Sequence, residues 1–273
     1  MSRLRNNKLF VLGIILVSMV VGLCAVSFFY LPHDPNVMNT KERLLSPSVE
    51  YLLGTDQFGR DILSRIMVSS RYALFIGLVS VSIGAAIGLF IGAIAATSKG
   101  IIQGLLMRMI DGLMAFPGIL LAMMLVAVLG EGLWNAVLAI GIFMIPVFAR
   151  LSYSLVLDQK DELYIKAAQS YGTSRTRIIF KHLLPTIMPR IITQFSASIG
   201  NAILIESSLS FLGLGVQPPD ASWGLMLSES RQYTLTYPFL SVPPGIILVI
   251  TVLGFNLIGD AVNDSMVKRR AAA

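Results

Sequence analysis

The sequence is poor in charge. Asp, Glu, Lys and Arg make up only 13% of its 273 residues, whereas soluble domains carry about 25%. Hydrophobic residues account for 55% of the chain, and the mean hydropathy is +0.76. Because a protein surface that faces lipid needs no polar coat, this composition indicates an integral membrane protein.

Cysteine and histidine are almost absent. Cys24 stands alone, so the chain forms no internal disulfide, and His33 and His182 lie too far apart in sequence to suggest a zinc site. No lysine follows a glycine, so the Gly-Lys-Ser/Thr phosphate loop is missing. No Ser/His/Asp set or paired-carboxylate cleft stands out in the polar segments. We therefore predict no catalytic residues, no metal and no cofactor in this chain.

Long apolar runs are the dominant positive feature. A helix needs about 20 apolar residues to span the hydrocarbon core of a membrane. Six runs approach or exceed this length, at about 9–31, 72–97, 109–129, 133–157, 191–214 and 242–262. The first is too long for the core of a cleaved signal peptide, so we interpret it as an anchor. The sequence predicts an all-α polytopic protein with six transmembrane helices.

The positive residues predict the orientation. With both termini in the cytoplasm, 15 of the 21 Lys and Arg residues fall in cytoplasmic segments and six outside, as the positive-inside rule requires. The net charge of +6 therefore reflects topology, and no basic stripe interleaved with aromatics points to nucleic acid. The predicted parts are a tail and first helix (1–31), an extracytoplasmic loop (32–71), a five-helix core (72–262) that includes a cytoplasmic hairpin (158–185) and an extracytoplasmic lid (215–241), and a cytoplasmic tail (263–273).

The second apolar run carries small residues at every fourth position. Ser80, Gly84, Gly88, Gly92 and Ala96 share one helix face. Small side chains let two backbones approach closely within a membrane. We predict that this face packs against another helix; direct contact with a substrate is the alternative.

The basic segment between the fourth and fifth runs is predicted to form a helical hairpin. Tyr164, Ala167, Ala168 and Tyr171 follow helical spacing on one face, and Gly172 is suited to end that helix. Thr173 or Ser174 is placed to cap a second helix. We expect Pro185 to end the second helix.

This hairpin resembles the coupling loop, or EAA motif, of ABC importer permeases. The motif reads Glu-Ala-Ala, three residues, Gly, and Leu-Pro about a dozen residues later. The matching residues are Ala167, Ala168, Gly172, Leu184 and Pro185, with Lys166 in place of the usual Glu. In that family the hairpin docks into a cleft of the ATPase subunit. The replacement at Lys166 leaves the helix–Gly–helix geometry intact but removes any salt bridge made by that Glu.

Three further stretches extend the resemblance over most of the chain. Residues 53–65 are similar to the Leu-Gly-Thr-Asp-x-x-Gly-Arg-Asp signature of the dipeptide, oligopeptide and nickel permeases, and their charged side chains are suited to a local ion network. Residues 209–219 and 255–260 also match. The resemblance implies a type I ABC importer permease fold in a bacterial inner membrane. It also implies a second homologous permease, two ATP-binding subunits that hold ATP and Mg, and an extracytoplasmic solute-binding protein.

Polar residues within the spans are candidates for the translocation pathway. Charges inside a membrane are costly and usually face a cavity or a partner. Glu206 and Asn201 lie in the fifth span, and Asp111 lies near the inner end of the third, close to Arg108. Glu206 is either a gate residue or a structural clamp, and Asp111 is alternatively one half of an ion pair.

The family resemblance predicts one half of a pathway for di- or oligopeptides. Nickel, a nickel chelate or glutathione is the alternative substrate. A self-sufficient channel or secondary transporter is the rival class, with Glu206 as its ion site. A membrane enzyme acting through Asp56 and Asp61 in the first loop is a further rival.

Overall fold

The computed structural model of the protein describes residues 7–270, without the side chains of Gln169, Arg175 and residues 264–270. The outermost parts of the two predicted tails, at 1–6 and 271–273, lie outside the described residues. Over the described range the chain is helical, and its sole β-type pairing is an isolated bridge between Thr55 and Asp61.

Ten α-helices are numbered here within that range. They are α1 (Lys8–Ser27), α2 (Ile62–Thr97), α3 (Ile101–Met114), α4 (Gly118–Leu129), α5 (Leu133–Lys160), α6 (Leu163–Ser170), α7 (Arg175–Ile178), α8 (Leu184–Phe211), α9 (Trp223–Ser230) and α10 (Val242–Arg270). Short 3-10 turns cover Thr40–Glu42 and Pro238–Leu240, and a π-helical turn at Ile179–Leu183 joins α7 to α8.

The described helices only partly match the six predicted spans. Four are long and apolar enough to cross a membrane: α1, α2, α5, and the stretch Pro238–Asn263 that includes most of α10. Helices α3 and α4 pass the same test only as a pair, and they are bent by 92° relative to each other. Helix α8 is long enough to cross a membrane, with 28 residues, but its composition is too polar to identify it as a membrane span. The count of six therefore remains a prediction.

The third predicted span, 109–129, was wrong as a single helix. It is broken between Met114 and Gly118. Pro117 lies at the break in an extended conformation, with ψ of 128°. Proline has no backbone N–H to donate and disfavours a helical conformation in the residue before it, so the helix cannot continue through this position.

Two predicted boundaries also shift. Helix α2 begins at Ile62, ahead of the predicted start at Tyr72, because Asp61 caps it by accepting a hydrogen bond from the Ser64 backbone N–H at 2.9 Å. Helix α10 continues beyond the predicted end of the last span and extends to Arg270. Residues 62–71 of the predicted first loop and much of the predicted C-terminal tail are therefore helical.

Helices α2 and α5 form the central packed pair. A Cβ atom added to Gly84 would lie 2.9 Å from the Gly141 carbonyl oxygen, and one added to Gly88 would lie 2.6 Å from the Ile145 carbonyl oxygen. A Cβ atom on Gly92 would lie 2.8 Å from Ser152 Cβ. The three glycines therefore lie where the two backbones approach most closely, and even a methyl group does not fit there.

The helix bundle has two distinct ends, which we name by what lies there. At the lid end, the loop 32–61 contacts the lid segment 215–241 through Arg60 and Glu229. At the hairpin end, α2 finishes beside the start of the 158–185 hairpin, where Lys160 Nζ donates to the Ala96 carbonyl at 3.3 Å.

Candidate functional site

The first arm of the hairpin ends at Gly172. This residue has φ of +74°, a conformation that glycine adopts without steric cost. The Thr173 N–H donates to the Ala168 carbonyl and the Tyr171 N–H donates to the Ala167 carbonyl, both at 3.1 Å. The bond from Thr173 is the six-residue closure of a Schellman motif. The predicted end of this helix is thus confirmed.

The second arm differs from the prediction at Pro185. Ser174 begins the arm as one of the two predicted caps, since its side chain accepts from the Arg177 N–H. Pro185 was expected to end this helix, and that expectation was wrong. The chain instead passes through the π-helical turn, in which the Leu184 N–H donates to the Ile179 carbonyl, and Pro185 lies in the first turn of α8. A proline is tolerated there because the first N–H groups of a helix have no intrahelical acceptor.

The hairpin is anchored on one side and exposed on the other. Ile165 and Leu183 are fully buried against the bundle. Tyr171 is 89% exposed and Leu163 is 82% exposed. Of the five residues that match the coupling motif, Ala167, Gly172 and Pro185 are exposed, and Ala168 and Leu184 are half-buried. Lys166, at the position of the usual Glu, is exposed as well.

A buried ion network joins the 32–61 loop to the lid. Arg60 Nε is 2.6 Å from Asp56 Oδ2, and Arg60 Nη2 is 2.7 Å from Glu229 Oε2. Arg65 contacts the same two carboxylates at 3.7 and 3.5 Å and donates to the Pro35 carbonyl at 3.2 Å. Both guanidinium groups are almost completely buried, so each needs its carboxylate partners. The network includes charged residues of the first loop that were predicted to form ion pairs. Glu229 was not predicted as a member, because nothing in the sequence near Arg60 indicates a partner so far along the chain.

A second set of contacts orders the loop itself. The Tyr51 hydroxyl donates to Glu42 Oε2 at 2.7 Å, and the His33 ring stacks on Tyr51 with 4.6 Å between centroids. The hydrogen bond to Glu42, together with burial, raises the pKa of Tyr51 to about 12. Asp61, proposed as part of an enzyme site, instead caps α2. Among the described side chains, no group of His, Cys, Asp or Glu is arranged to hold a metal ion.

Helix α9 of the lid is in close contact with α2 and α8. Trp223 Nε1 donates to the Ile66 carbonyl at 3.2 Å, and Trp223 is completely buried. Gly224 lies so close to the Ser207 carbonyl that no Cβ atom fits between them. The lid is therefore packed tightly against α8 at this point.

Glu206 lies inside the subunit, beside the lid. Its carboxylate accepts from Ser210 Oγ at 2.6 Å and from Ser207 Oγ at 3.3 Å, and the residue is 1% exposed. Ser210 Oγ also accepts from the Val216 N–H, where the chain leaves α8. This geometry is that of the structural clamp considered above, and a role as a gate stays a prediction.

The other two pathway candidates lie at the surface of the subunit. Asn201 is exposed on α8. Asp111 forms an ion pair with Arg150 of α5, so the expected pairing with Arg108 was wrong. Arg108 was expected as the partner because it lies three positions from Asp111 on the same helix. Arg150 lies on α5 and reaches Asp111 only through the packing of α3 against α5. Both members of the Asp111–Arg150 pair are about half exposed.

Comparison with known proteins agrees with this fold. The family model described as "Binding-protein-dependent transport system inner membrane component" matches residues 88–272. The chain belongs to this family of ABC importer permeases, and it is therefore a multi-pass membrane subunit of a transport system that works with an ATPase and a binding protein.

Individual relatives cover nearly the whole chain. It is 39% identical over 265 residues to the dipeptide transport system permease protein DppC of Alkalihalophilus pseudofirmus, covering 97% of this chain and 87% of the relative. It is 37% identical to the probable D,D-dipeptide transport system permease protein DdpC of Escherichia coli, covering 96% and 88%. It is 41% identical to the glutathione transport system permease protein GsiD of Pectobacterium atrosepticum, covering 90% and 83%.

A solved structure supports the fold alone. A chain of the inward-facing MetNI methionine ABC transporter superposes with a TM-score of 0.60 at 17% sequence identity, covering 72% of this chain and 94% of that one.

Proposed function

We propose that this chain forms one half of the translocation pathway of an ATP-driven importer of peptides. ATP and Mg are bound by partner subunits, and this chain has no catalytic residue. The described relatives include dipeptide and glutathione permeases, and glutathione is itself a peptide. A nickel chelate as substrate has no support among these relatives.

The observation that carries the proposal is the exposed hairpin. Its turn at Gly172 is fixed by backbone hydrogen bonds, and its base is anchored by buried apolar residues. Tyr171 and Leu163 are left uncovered at the same time. A rigid projection with an apolar surface is suited to dock into a groove of another protein, and a self-sufficient channel has no need of one.

The helices connect the hairpin to the lid. Helix α8 has 28 residues, about 42 Å at 1.5 Å per residue. It begins at Leu184, within the last residues of the hairpin, and contacts the lid through Ser207 and Gly224. Closure of the ATPases would move the hairpin, and α8 would carry that movement to the opposite end of the bundle. We propose that this connection serves alternating access.

Orientation and stoichiometry complete the proposal. Both termini and the hairpin lie in the cytoplasm, as the distribution of Lys and Arg favours. The complex contains this chain, a second homologous permease, two ATP-binding subunits and an extracytoplasmic binding protein. The pathway lies between the two permeases, with the exposed side chains of Asn201 and Asp111 as candidate lining residues.

The proposal is tested in vesicles that contain the permease pair, the ATPases and the binding protein. ATP-dependent uptake of labelled dialanine is measured beside uptake of glutathione and of nickel. Replacing Ala167 and Ala168 with Asp is expected to abolish co-purification of the ATPases and uptake, since bulky charge would enter the docking surface. Ser46→Asp, at an exposed position of the 32–61 loop, is the control. Uptake of dialanine without ATP, or undiminished ATPase binding by the double variant, would contradict the proposal.

A further inference from the structure

A cavity of about 820 Å³ opens among three helices at the hairpin end. Leu151, Leu155 and Asp158 line it from one face of α5. Helix α8 contributes Arg190 and Gln194, and α10 contributes Asp260 and Asn263. Its size lies within the range of about 300–1,000 Å³ that is typical of small-molecule sites.

The cavity starts where α8 packs against α10. Helices α8 and α10 touch at Ala197 and Gly259, where an added Cβ would lie 3.2 Å from the Ala197 Cβ. From this contact the cavity extends toward the hairpin end, past Gln194 to Arg190. On α5, Leu151 lies about 10 Å along the helix axis from Asp158. Apolar and charged side chains therefore both line the cavity, with Asp260 next to the contact between α8 and α10 and Arg190 nearer the hairpin.

The described charged side chains that line the cavity form no ion pair with one another. Arg190 is the one cation among the described residues that line the cavity, and it is half-buried. Within the described side chains no carboxylate lies within 4.0 Å of its guanidinium. Asp158 and Asp260 supply negative charge from two other helices. A guanidinium forms two parallel hydrogen bonds to a carboxylate, and a carboxylate accepts from an ammonium.

We propose that this cavity binds a short zwitterionic peptide from the cytoplasmic side, independently of the binding protein. Arg190 holds the peptide carboxylate, and Asp158 or Asp260 holds the ammonium group. The amides of Gln194 and Asn263 are suited to the peptide bond, and the leucines of α5 accept an apolar side chain. This inference rests on the proposed peptide-import function, and it assigns to this subunit an exit site for the imported peptide.

The test uses the assembled transporter in lipid nanodiscs, without binding protein and without ATP. Binding of labelled dialanine is measured by equilibrium dialysis, beside dialaninamide, which lacks the carboxylate, and N-acetyl-dialanine, which lacks the ammonium. We expect the wild type to bind dialanine at least about 10-fold more tightly than either capped peptide, because each cap removes a charge-assisted hydrogen bond. In Arg190→Gln the difference between dialanine and dialaninamide should disappear, while the difference from N-acetyl-dialanine remains.

Lys99→Gln is the matched control, because it removes an exposed positive charge at the same end of the bundle. It should leave all three affinities unchanged.

Co-purification of the ATPases reports whether Arg190→Gln has assembled. Asp260→Asn combined with Asp158→Asn provides a second variant, which should lose the preference for a peptide with a free ammonium group. No binding of dialanine by the wild type, or an unchanged carboxylate preference in Arg190→Gln, would overturn the inference. Uptake by the wild-type transporter, measured with ATP and binding protein, separates the two proposals. If uptake is present but the binding result fails, the exit site is wrong and the proposed function stands. If the wild type takes up no dialanine, the proposed function itself is contradicted.

Discussion

The side chains of Arg60 and Glu229, 169 positions apart in the sequence, form an ion pair with 2.7 Å between Nη2 and Oε2. Arg60 is 2% exposed, and the Glu229 side chain is 18% exposed. The pair fixes the lid helix α9 to the 32–61 loop at the lid end of the bundle. A charge buried in this way stabilises the fold only while its partner is present.

Replacing Glu229 with Gln is therefore expected to destabilise the lid. The two guanidinium groups would retain Asp56 as their only carboxylate in the network. Breaking a buried pair costs about 3–5 kcal/mol, and the partial exposure of Glu229 reduces this to on the order of 2 kcal/mol. Thermal unfolding of the purified protein in detergent should show a lower midpoint for this variant. Glu50→Gln, in the exposed part of the same loop, should match the wild type; equal midpoints for all three proteins would contradict the prediction.

How much could be predicted from the sequence depends on the range of the interactions involved. Gly172 was foreseen as a helix end because its signal is local, and the glycines of α2 were foreseen because their four-residue spacing is periodic. The pairing of Arg60 with Glu229 and of Asp111 with Arg150 was not foreseen, since each depends on which helices meet in space. The same holds for the cavity around Arg190, whose three walls come from separate helices.

The boundary errors have a different cause. Apolar runs indicate where a helix meets lipid, whereas hydrogen bonds decide where it begins and ends. Asp61 starts α2 well outside its apolar run through a cap, and an Asp at this position is a signal that was available in the sequence. Pro185 was misjudged because a π-helical turn precedes it, and no simple sequence pattern predicts such a turn.

Gly88 provides a test of the packing between α2 and α5. The change Gly88→Ala would place a Cβ atom 2.6 Å from the Ile145 carbonyl oxygen, which forces the two helices apart. Overpacking of this kind typically costs about 1–3 kcal/mol, and uptake should fall with stability. Gly104→Ala is the control, because no atom of a neighbouring group lies within 4 Å of the added Cβ. In a helix, alanine is favoured over glycine by about 1 kcal/mol, so a midpoint for Gly104→Ala at or above the wild type is expected. A neutral Gly88→Ala would show that the helices are not in close contact.

The Asp111–Arg150 pair predicts that the two charges act together. Each single change, Asp111→Arg or Arg150→Asp, places two like charges side by side where α3 meets α5. The double variant restores an opposite pair in reversed order. Because both side chains are about half exposed, the effect on stability should be at most about 1 kcal/mol. Uptake is the more sensitive measurement: it should fall in each single variant and recover at least partly in the double variant. The pairing is excluded if the double variant is as poor as the two single variants combined.

Tyr51 gives a prediction for pH dependence. Its pKa is raised from 10.0 to about 12 by the hydrogen bond to Glu42 and by burial, so the neutral phenol is the form that the fold stabilises. This contribution is fully present below pH 10 and is lost as the pH rises through about 12. The change Tyr51→Phe removes the hydrogen bond and should lower stability by about 1 kcal/mol. The difference in thermal midpoint between Tyr51→Phe and the wild type should therefore stay constant from about pH 7 to pH 9. Tyr30→Phe, at an exposed position after α1, should show no difference at any of these values. If the difference for Tyr51→Phe instead declined steadily across this range, the phenol would already be ionising, and its bond to Glu42 would not be the interaction that orders the loop.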